Sequence, residues 1–278
     1  MMNEPEDPHA AFIEACVWHG SLDRAETILT AHPEIASSDI HTAALLGDDA
    51  AVCRFIALDP GNATAKGGPC GWDALTHLCF SKYLRLDRAR TGGFMRAATA
   101  LLDAGASANT GFWEVNHQPK PEWESVLYGA AGVAHHPELT QLLLERGADP
   151  NDEETPYHAP ETLDNAARTI LVESGKLNDD SLATMLFRKA DWHDTDGIEF
   201  LLKRGADPNR MTRWHHTALH QALRRDNDLK NIELLLDHGA DPTLANRRDG
   251  KSAVAIAARR GRGRPLPREF ADAIAGPQ

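Results

Sequence analysis

Apolar residues in this chain fall in short runs that read as one face of a helix: Leu101-Leu102, Leu142 to Leu144, Phe200 to Leu202 and Leu234 to Leu236. Each run leads into a near copy of one phrase. Gly147-Ala148-Asp149-Pro150-Asn151, Gly205-Ala206-Asp207-Pro208-Asn209 and Gly239-Ala240-Asp241-Pro242-Thr243 are the clear copies, and Gly105-Ala106-Ser107-Ala108-Asn109 is a worn fourth. A unit that recurs at this scale points to stacked repeats rather than one globular core.

The rest of the unit is legible backwards from the glycines. A step of 22 residues leads from Gly239 to Thr217, from Gly147 to Ser125 and from Gly205 to Ala183. Three units therefore share one length and one helix–turn–helix plan. Looser copies occupy residues 11–32, with Gly20 and Ile28-Leu29, residues 41–58, with His41 to Ala44, Gly47 and Phe55-Ile56, and residues 252–261. Two units depart from the plan. Residues 73–105 run ten residues longer, which predicts an extended first helix from Leu78 to Leu86 and a break at Gly92-Gly93. Residues 161–175 are short and lack most of one helix.

Each repeated residue has a physical reason. Glycine after an apolar run suits the left-handed position that ends a helix. In Asp-Pro-Asn, proline fixes φ, and Asp or Asn is expected to bond its own turn. Thr or Ser at the opening caps the first helix. The alanine pairs Ala43-Ala44, Ala130-Ala131 and Ala257-Ala258 let helices approach closely. All of these read as scaffold.

The opening Thr217-Ala218-Leu219-His220 and the Gly-Ala-Asp close resemble the ankyrin repeat. The resemblance extends from about residue 10 to about residue 262, at a unit length near the ~33 residues expected. It implies an all-α solenoid of about seven to eight helix-turn-helix units with β-hairpin fingers. Residues 1–278 would form a single array, with an acidic tail at 1–9 and an irregular C-terminal cap at 262–278. It also implies a module that binds another protein through its fingers and concave face.

Composition narrows the function. Hydrophobic residues make up 42%, enough for a core, and the formal net charge of −12 argues against a general nucleic-acid binder. The chain shows no long apolar run and no basic leader, so a cytoplasmic monomer without a membrane span is expected. Cys16, Cys53, Cys70 and Cys79 lack regular spacing and read as reduced thiols, with Cys16 and Cys53 as small core residues. Charge is uneven. Residues 1–60 hold eleven acidic residues against Arg24 and Arg54, whereas residues 247–268 carry eight basic residues against Asp249. Lys82, Arg85, Arg88, Arg90 and Arg96 form a second basic stretch, a solvated face or a polyanion contact.

The candidate binding residues are aromatic. Finger segments are expected at 60–72, 109–124, 151–160, 178–182, 209–216 and 243–251. Four of the six Trp residues fall in them. Exposed Trp and Tyr beside Arg are the material of binding hot spots. The expected partner-binding set is Trp72, Phe112, Trp113, Trp123, Tyr157, His158, Arg213, Trp214 and His215. Trp18, read as part of a first-unit helix, is expected to serve packing instead.

The 14 histidines do not suggest a metal centre. His135, His136 and His193 fall in turns between helices, while His158, His215 and His216 fall in fingers. Asp191 to Asp196 looks rich in ligands but occupies a helix–helix turn. Zinc spacing, a phosphate loop and a nucleophile elbow are all missing from the sequence. The expectation is a binding protein without catalytic residues or cofactor. Two other readings stay open. One is an enzyme or small-molecule binder using the irregular middle, residues 106–165, where Trp113, His117, Trp123, Tyr128, Tyr157, His158 and Asp164 could converge. The other is an effector or immunity-type binder aimed at another cell's target.

Overall fold

The computed structural model describes residues 7–117 and 120–258, the backbone of 260–261 and 264–265, and residue 273. Most of the expected C-terminal cap and the first six residues of the acidic tail lie outside the described residues. The helices are short. In the first unit, residues 1–155, consecutive pairs include Pro8–Cys16 with Leu22–Ala31 and Ile40–Leu46 with Asp49–Leu58. In the second, residues 156–278, they are Asp179–Asp191 with Thr195–Lys203 and Ala218–Arg224 with Leu229–Asp237. Helices of this length are marginal alone and depend on packing. The packing repeats. In the second unit, Asp179–Asp191 packs on Ala218–Arg224, which packs on Ala253–Ala257, while Thr195–Lys203 packs on Leu229–Asp237. The first unit repeats this, with Ile40–Leu46 on Ala74–Cys79 and Asp49–Leu58 on Thr91–Asp103. Among the described residues, no helix is long and apolar enough to cross a membrane.

The recurring phrase closes four helices in the same way, Thr91–Asp103, Pro137–Glu145, Thr195–Lys203 and Leu229–Asp237. Gly105, Gly147, Gly205 and Gly239 hold φ of 103°, 90°, 89° and 89°. At Gly205 the N–H donates to the Leu202 carbonyl at 3.1 Å, and the Ala206 N–H donates to Leu201 at 3.0 Å. This is a Schellman closure, which satisfies carbonyls left over at the helix end. The alanine that follows is buried at all four positions.

The Asp and Asn of the phrase divide their work, which corrects the sequence expectation. Asp207 bonds its own turn, accepting from the Asn209 N–H at 2.8 Å. Asn209 reaches into the next repeat. Its amide donates to the Gly239 carbonyl at 2.8 Å, and its Oδ1 accepts from the Asp241 N–H at 2.6 Å. Asn109 does the same to Gly147 and Asp149, at 2.9 and 2.8 Å. One side chain thus ties two backbone groups of the neighbouring unit, because the Schellman turn leaves that carbonyl and N–H facing outward.

The first helices begin at side-chain caps. Thr217 and His220 form a reciprocal capping box, and His220 Nε2 lies 3.1 and 3.2 Å from the carbonyls of Leu244 and Lys251. Ala183, expected at a helix opening, lies inside a helix. That helix starts at Asp179, capped by Asn178, so no finger exists at 178–182. Asn178 accepts from the Ser181 N–H at 2.8 Å, and Asp179 and Asp180 favour a helix N-terminus.

The long unit also differs from expectation. Its first helix stops at Cys79, and a second, Lys82–Leu86, starts after Ser81. The Ser81 hydroxyl accepts from the Tyr83 N–H and donates to the Leu45 carbonyl at 2.6 Å, while its backbone bridges Val17. These ties prevent one continuous helix. Gly92 and Gly93 do not break the chain; they lie inside the helix Thr91–Asp103. A Cβ on Gly93 would stand 2.3 Å from the Gly47 carbonyl oxygen, so glycine there serves close helix contact. In the short unit, only the one-turn helix Glu154–His158 precedes Ala166–Glu173. The loop between them is anchored by buried Lys189. Its ammonium donates to the Thr162 carbonyl, Asn165 Oδ1 and Asp194 Oδ2 at 2.7–2.8 Å.

Two predictions follow from this scaffold. A Cβ at Gly205 or Gly239 meets no atom within 4 Å, so only backbone strain opposes it. Gly205→Ala or Gly239→Ala should cost about 1 kcal/mol, and Asn209→Ala about the same for its lost bonds. Urea denaturation checks all three, and unchanged midpoints would contradict the closure described. The second concerns His77, which is fully buried and donates from Nδ1 to the Asp73 carbonyl at 2.9 Å. Burial pushes its pKa down to about 4, although Asp73 and Asp39 oppose that shift and His41, 5.2 Å away, adds to it. A folded-state pKa below the ordinary 6.5 means stability intact above pH 6.5 and lost as pH falls towards 4, by up to about 3 kcal/mol. Thermal melts across that window should show the slope in the native protein and a flatter one in His77→Leu.

Candidate functional site

In the first unit, aromatic residues gather around Phe80, which is fully buried at the end of Ala74–Cys79. Trp18, Trp72, Phe112 and Tyr128 surround it with ring centroids 5.1–5.8 Å away. Trp72 stacks on Phe112 at 4.1 Å and is only 9% exposed. Trp72 is therefore packing material, not an open finger residue, and Phe112 is half covered by the same cluster. Trp18 follows the helix Pro8–Cys16 instead of lying within it. Its packing role agrees with expectation, but its partners come from later repeats.

Among the described residues, the finger hairpin with paired strands runs from Gly111–Glu114 to Glu122–Ser125. Alternation along it divides the two aromatic neighbours. Phe112 points to the Phe80 cluster, and Trp113 points away. Trp113 pairs across the strands with Trp123, with rings 5.4 Å apart and edge to face. Trp113 is 60% exposed and Val115 is 67% exposed. His117, on the same hairpin, lies 3.3 Å from the Lys120 carbonyl.

The second unit brings together Tyr157, Trp214 and Phe187. Trp214 lies parallel to Phe187 at 5.3 Å, and Tyr157 tilts against Trp214 at 5.0 Å. Arg188 covers the Tyr157 ring at 4.1 Å, and Arg213 sits over Trp214 at 4.7 Å. Trp214 is thus half-buried, contrary to the expectation of a free finger tip. Segment 209–216 is a tight turn closed by the Thr212 N–H donating to the His216 carbonyl at 3.2 Å, which folds the ring down. His215 beside it is exposed in the left-handed region, at φ 66°. Tyr157 and His158 lie on the one-turn helix Glu154–His158, not on a finger, because Asp152 caps a helix there by accepting from the Thr155 N–H at 2.7 Å. His158 pairs with Glu161 at 2.9 Å.

A cleft of about 330 Å³ opens beside these rings. Tyr157, Phe187 and Trp214 form its apolar side, and Arg188, Arg224, Arg225 and Arg248 line the rest with Asp191, His216 and Gln221. The sequence reading singled out Tyr157 and Trp214 but missed Phe187 and the arginines. Phe187 and Arg188 sit in the last two turns of Asp179–Asp191, where an aromatic and a basic residue look like ordinary packing and solvation.

Other candidates serve the scaffold. His135, His193 and Asp226 occupy left-handed positions between helices, at φ 47°, 53° and 55°. Asp194 caps Thr195–Lys203, and Asp191 accepts from Arg188, Gln221 and Arg225. Arg90 and Arg96 of the basic stretch are engaged, Arg90 with Asp87 and the Tyr83 ring, Arg96 with both oxygens of Asp49. Cys53 is exposed, against the expectation of a core residue, because it faces away from the buried Ala51 and Val52 of its helix. Tyr128 belongs to the Phe80 cluster, and Asp164 is exposed in a loop, accepting from the Ala166 N–H. Among the described residues, no group of three or more His, Cys, Asp or Glu is placed to hold a metal ion.

Residues 186–265 match the family model for ankyrin repeats (3 copies). The structure is similar to the human ASB11 ankyrin repeat domain, with a TM-score of 0.62 and 25% identity over 87% of this chain and 99% of that one. It is also similar to the ankyrin repeat domain of Bcl-3, a member of the IkappaB family, with a TM-score of 0.63 and 19% identity over 86% and 98% of the two chains. No curated protein sequence matches the chain. Its closing turns, capping box and helix stacking agree with these matches: residues 186–265 carry ankyrin repeats, and the fold of the chain is similar to that of ankyrin repeat domains.

Proposed function

We propose that this protein binds another protein through two aromatic surfaces, the Trp113 hairpin of the first unit and the Tyr157–Trp214 face of the second. Ankyrin-repeat domains generally mediate protein–protein interaction. The observation that carries the reading is the tip of the hairpin. Trp113 and Val115 are among the most exposed large apolar residues described; Trp113 lies on a strand whose opposite face is anchored in the core, and Val115 follows one residue past the end of that strand. Exposed apolar area of this kind is costly unless it is covered in use. A rigid hairpin holds the rings in place, so little conformational entropy is lost on binding. Arg213 and His215 extend the second surface with polar groups at its rim, and Phe112 and Trp72 support the first from beneath.

The test compares two tryptophans. Trp113→Ala should leave the melting temperature nearly unchanged and weaken a partner recovered by pull-down by about 2 kcal/mol, roughly 30-fold. Trp214→Ala removes a ring stacked on Phe187 and Tyr157, so it should lower stability by about 1–3 kcal/mol. Melting curves and titrations of both variants check this. Normal partner binding by Trp113→Ala would remove the hairpin from the binding surface.

A further inference from the structure

The cleft of the second unit has a charge opposite to that of the whole chain. Four guanidinium groups line it, from Arg188, Arg224, Arg225 and Arg248, against the single carboxylate of Asp191. Asp191 is already saturated, since Arg188, Gln221 and Arg225 all donate to it. Arg188 is spent in turn on Asp191 and Glu161. The other two arginines are not. Arg224 reaches Asp249 through one nitrogen at 3.3 Å, while its Nε is buried without a partner among the described residues. Arg248 is exposed, and no described side chain pairs with it. The formal net charge of the protein is −12, so a locally basic pocket departs from the general surface. Beside these free donors lies the flat apolar floor of Phe187, Trp214 and Tyr157.

We infer that this cleft receives a short acidic segment of a protein partner, one carboxylate-bearing stretch that also carries a large apolar side chain. The inference rests on the reading of this face as a protein-binding surface and adds the chemistry of what it binds. The planar guanidinium fork of Arg224 and Arg248 suits bidentate pairing with Asp or Glu. The aromatic floor suits an apolar side chain, and a volume near 330 Å³ holds a few side chains, not a folded domain. Association through these charges should weaken as salt rises.

The test uses fluorescein-labelled peptides in which one Trp is flanked on both sides by two Glu, two Gln or two Lys residues, followed by fluorescence anisotropy on the full chain. The Glu peptide should bind at least 10-fold more tightly than the Gln peptide, and the Lys peptide should not bind. Arg248→Glu alters an exposed residue and should leave the melting curve unchanged while weakening the Glu peptide at least 10-fold. Arg224→Gln should weaken it as well. Inorganic phosphate as competitor separates a general anion site from a peptide site. Displacement at low millimolar phosphate, equal binding of the Glu and Gln peptides, or full binding by Arg248→Glu would each overturn the inference. The hairpin reading is separable: it stands or falls on Trp113→Ala with the pulled-down partner.

Discussion

A backbone that ends a helix every few turns must satisfy the carbonyls and N–H groups it leaves behind, and at Gly105, Gly147, Gly205 and Gly239 this protein meets that demand with one short device. A left-handed glycine folds the chain back on its helix, a buried alanine locks the fold-back, and an asparagine from the preceding repeat bonds the groups that still face outward. The Asn209 bridge to Gly239 and Asp241 and the Asn109 bridge to Gly147 and Asp149 are the same device in the two units. Hydrophobic stacking gives the fold its energy, yet stacking alone would let neighbouring units slide. Directional bonds between consecutive closures fix the register.

Where the repeat is irregular, other groups take over that function. The long unit ties Ser81 to Leu45 and Val17 and uses Gly93 to bring two helices into contact. The short unit replaces a missing helix with a loop held by Lys189. Burial draws that ammonium below its usual range, and Asp194 works against the shift. Three acceptors around the charge make its burial tolerable, as a buried ion requires. Both irregularities neighbour the aromatic clusters of their own unit. Phe80 adjoins Ser81, and Arg188 adjoins Lys189. Departures from the repeat thus create the local room in which rings collect.

The two aromatic surfaces differ in physical character. The hairpin offers an exposed, preorganised Trp113 ring on strands that also carry Glu114, Glu122 and Glu124. The cleft offers half-buried rings beside a surplus of guanidinium groups. On the proposed reading, apolar cover supplies affinity, and the guanidinium groups of Arg224 and Arg248 select for a partner that brings negative charge.

The sequence by itself determined the helical repeat, its closing glycines, the caps at Ser125 and Thr217 and the placement of His135, His136 and His193 between helices. Those features are local, because a left-handed φ, a cap or a helix face depends on a few neighbouring residues. It also marked Trp113 and Trp123 as hairpin residues. Only the tertiary structure decided which aromatics are free. Trp72 and Trp214 share the loop placement of Trp113 but fold onto Phe112 and Phe187, and no local pattern encodes which way a loop ring turns. Likewise the Arg224 and Arg248 surplus exists only once Asp191 at the end of one helix meets Gln221 and Arg225 of another. Charge pairing is a property of space, so the cleft was invisible until residues about 30 apart in the chain were brought within bonding distance.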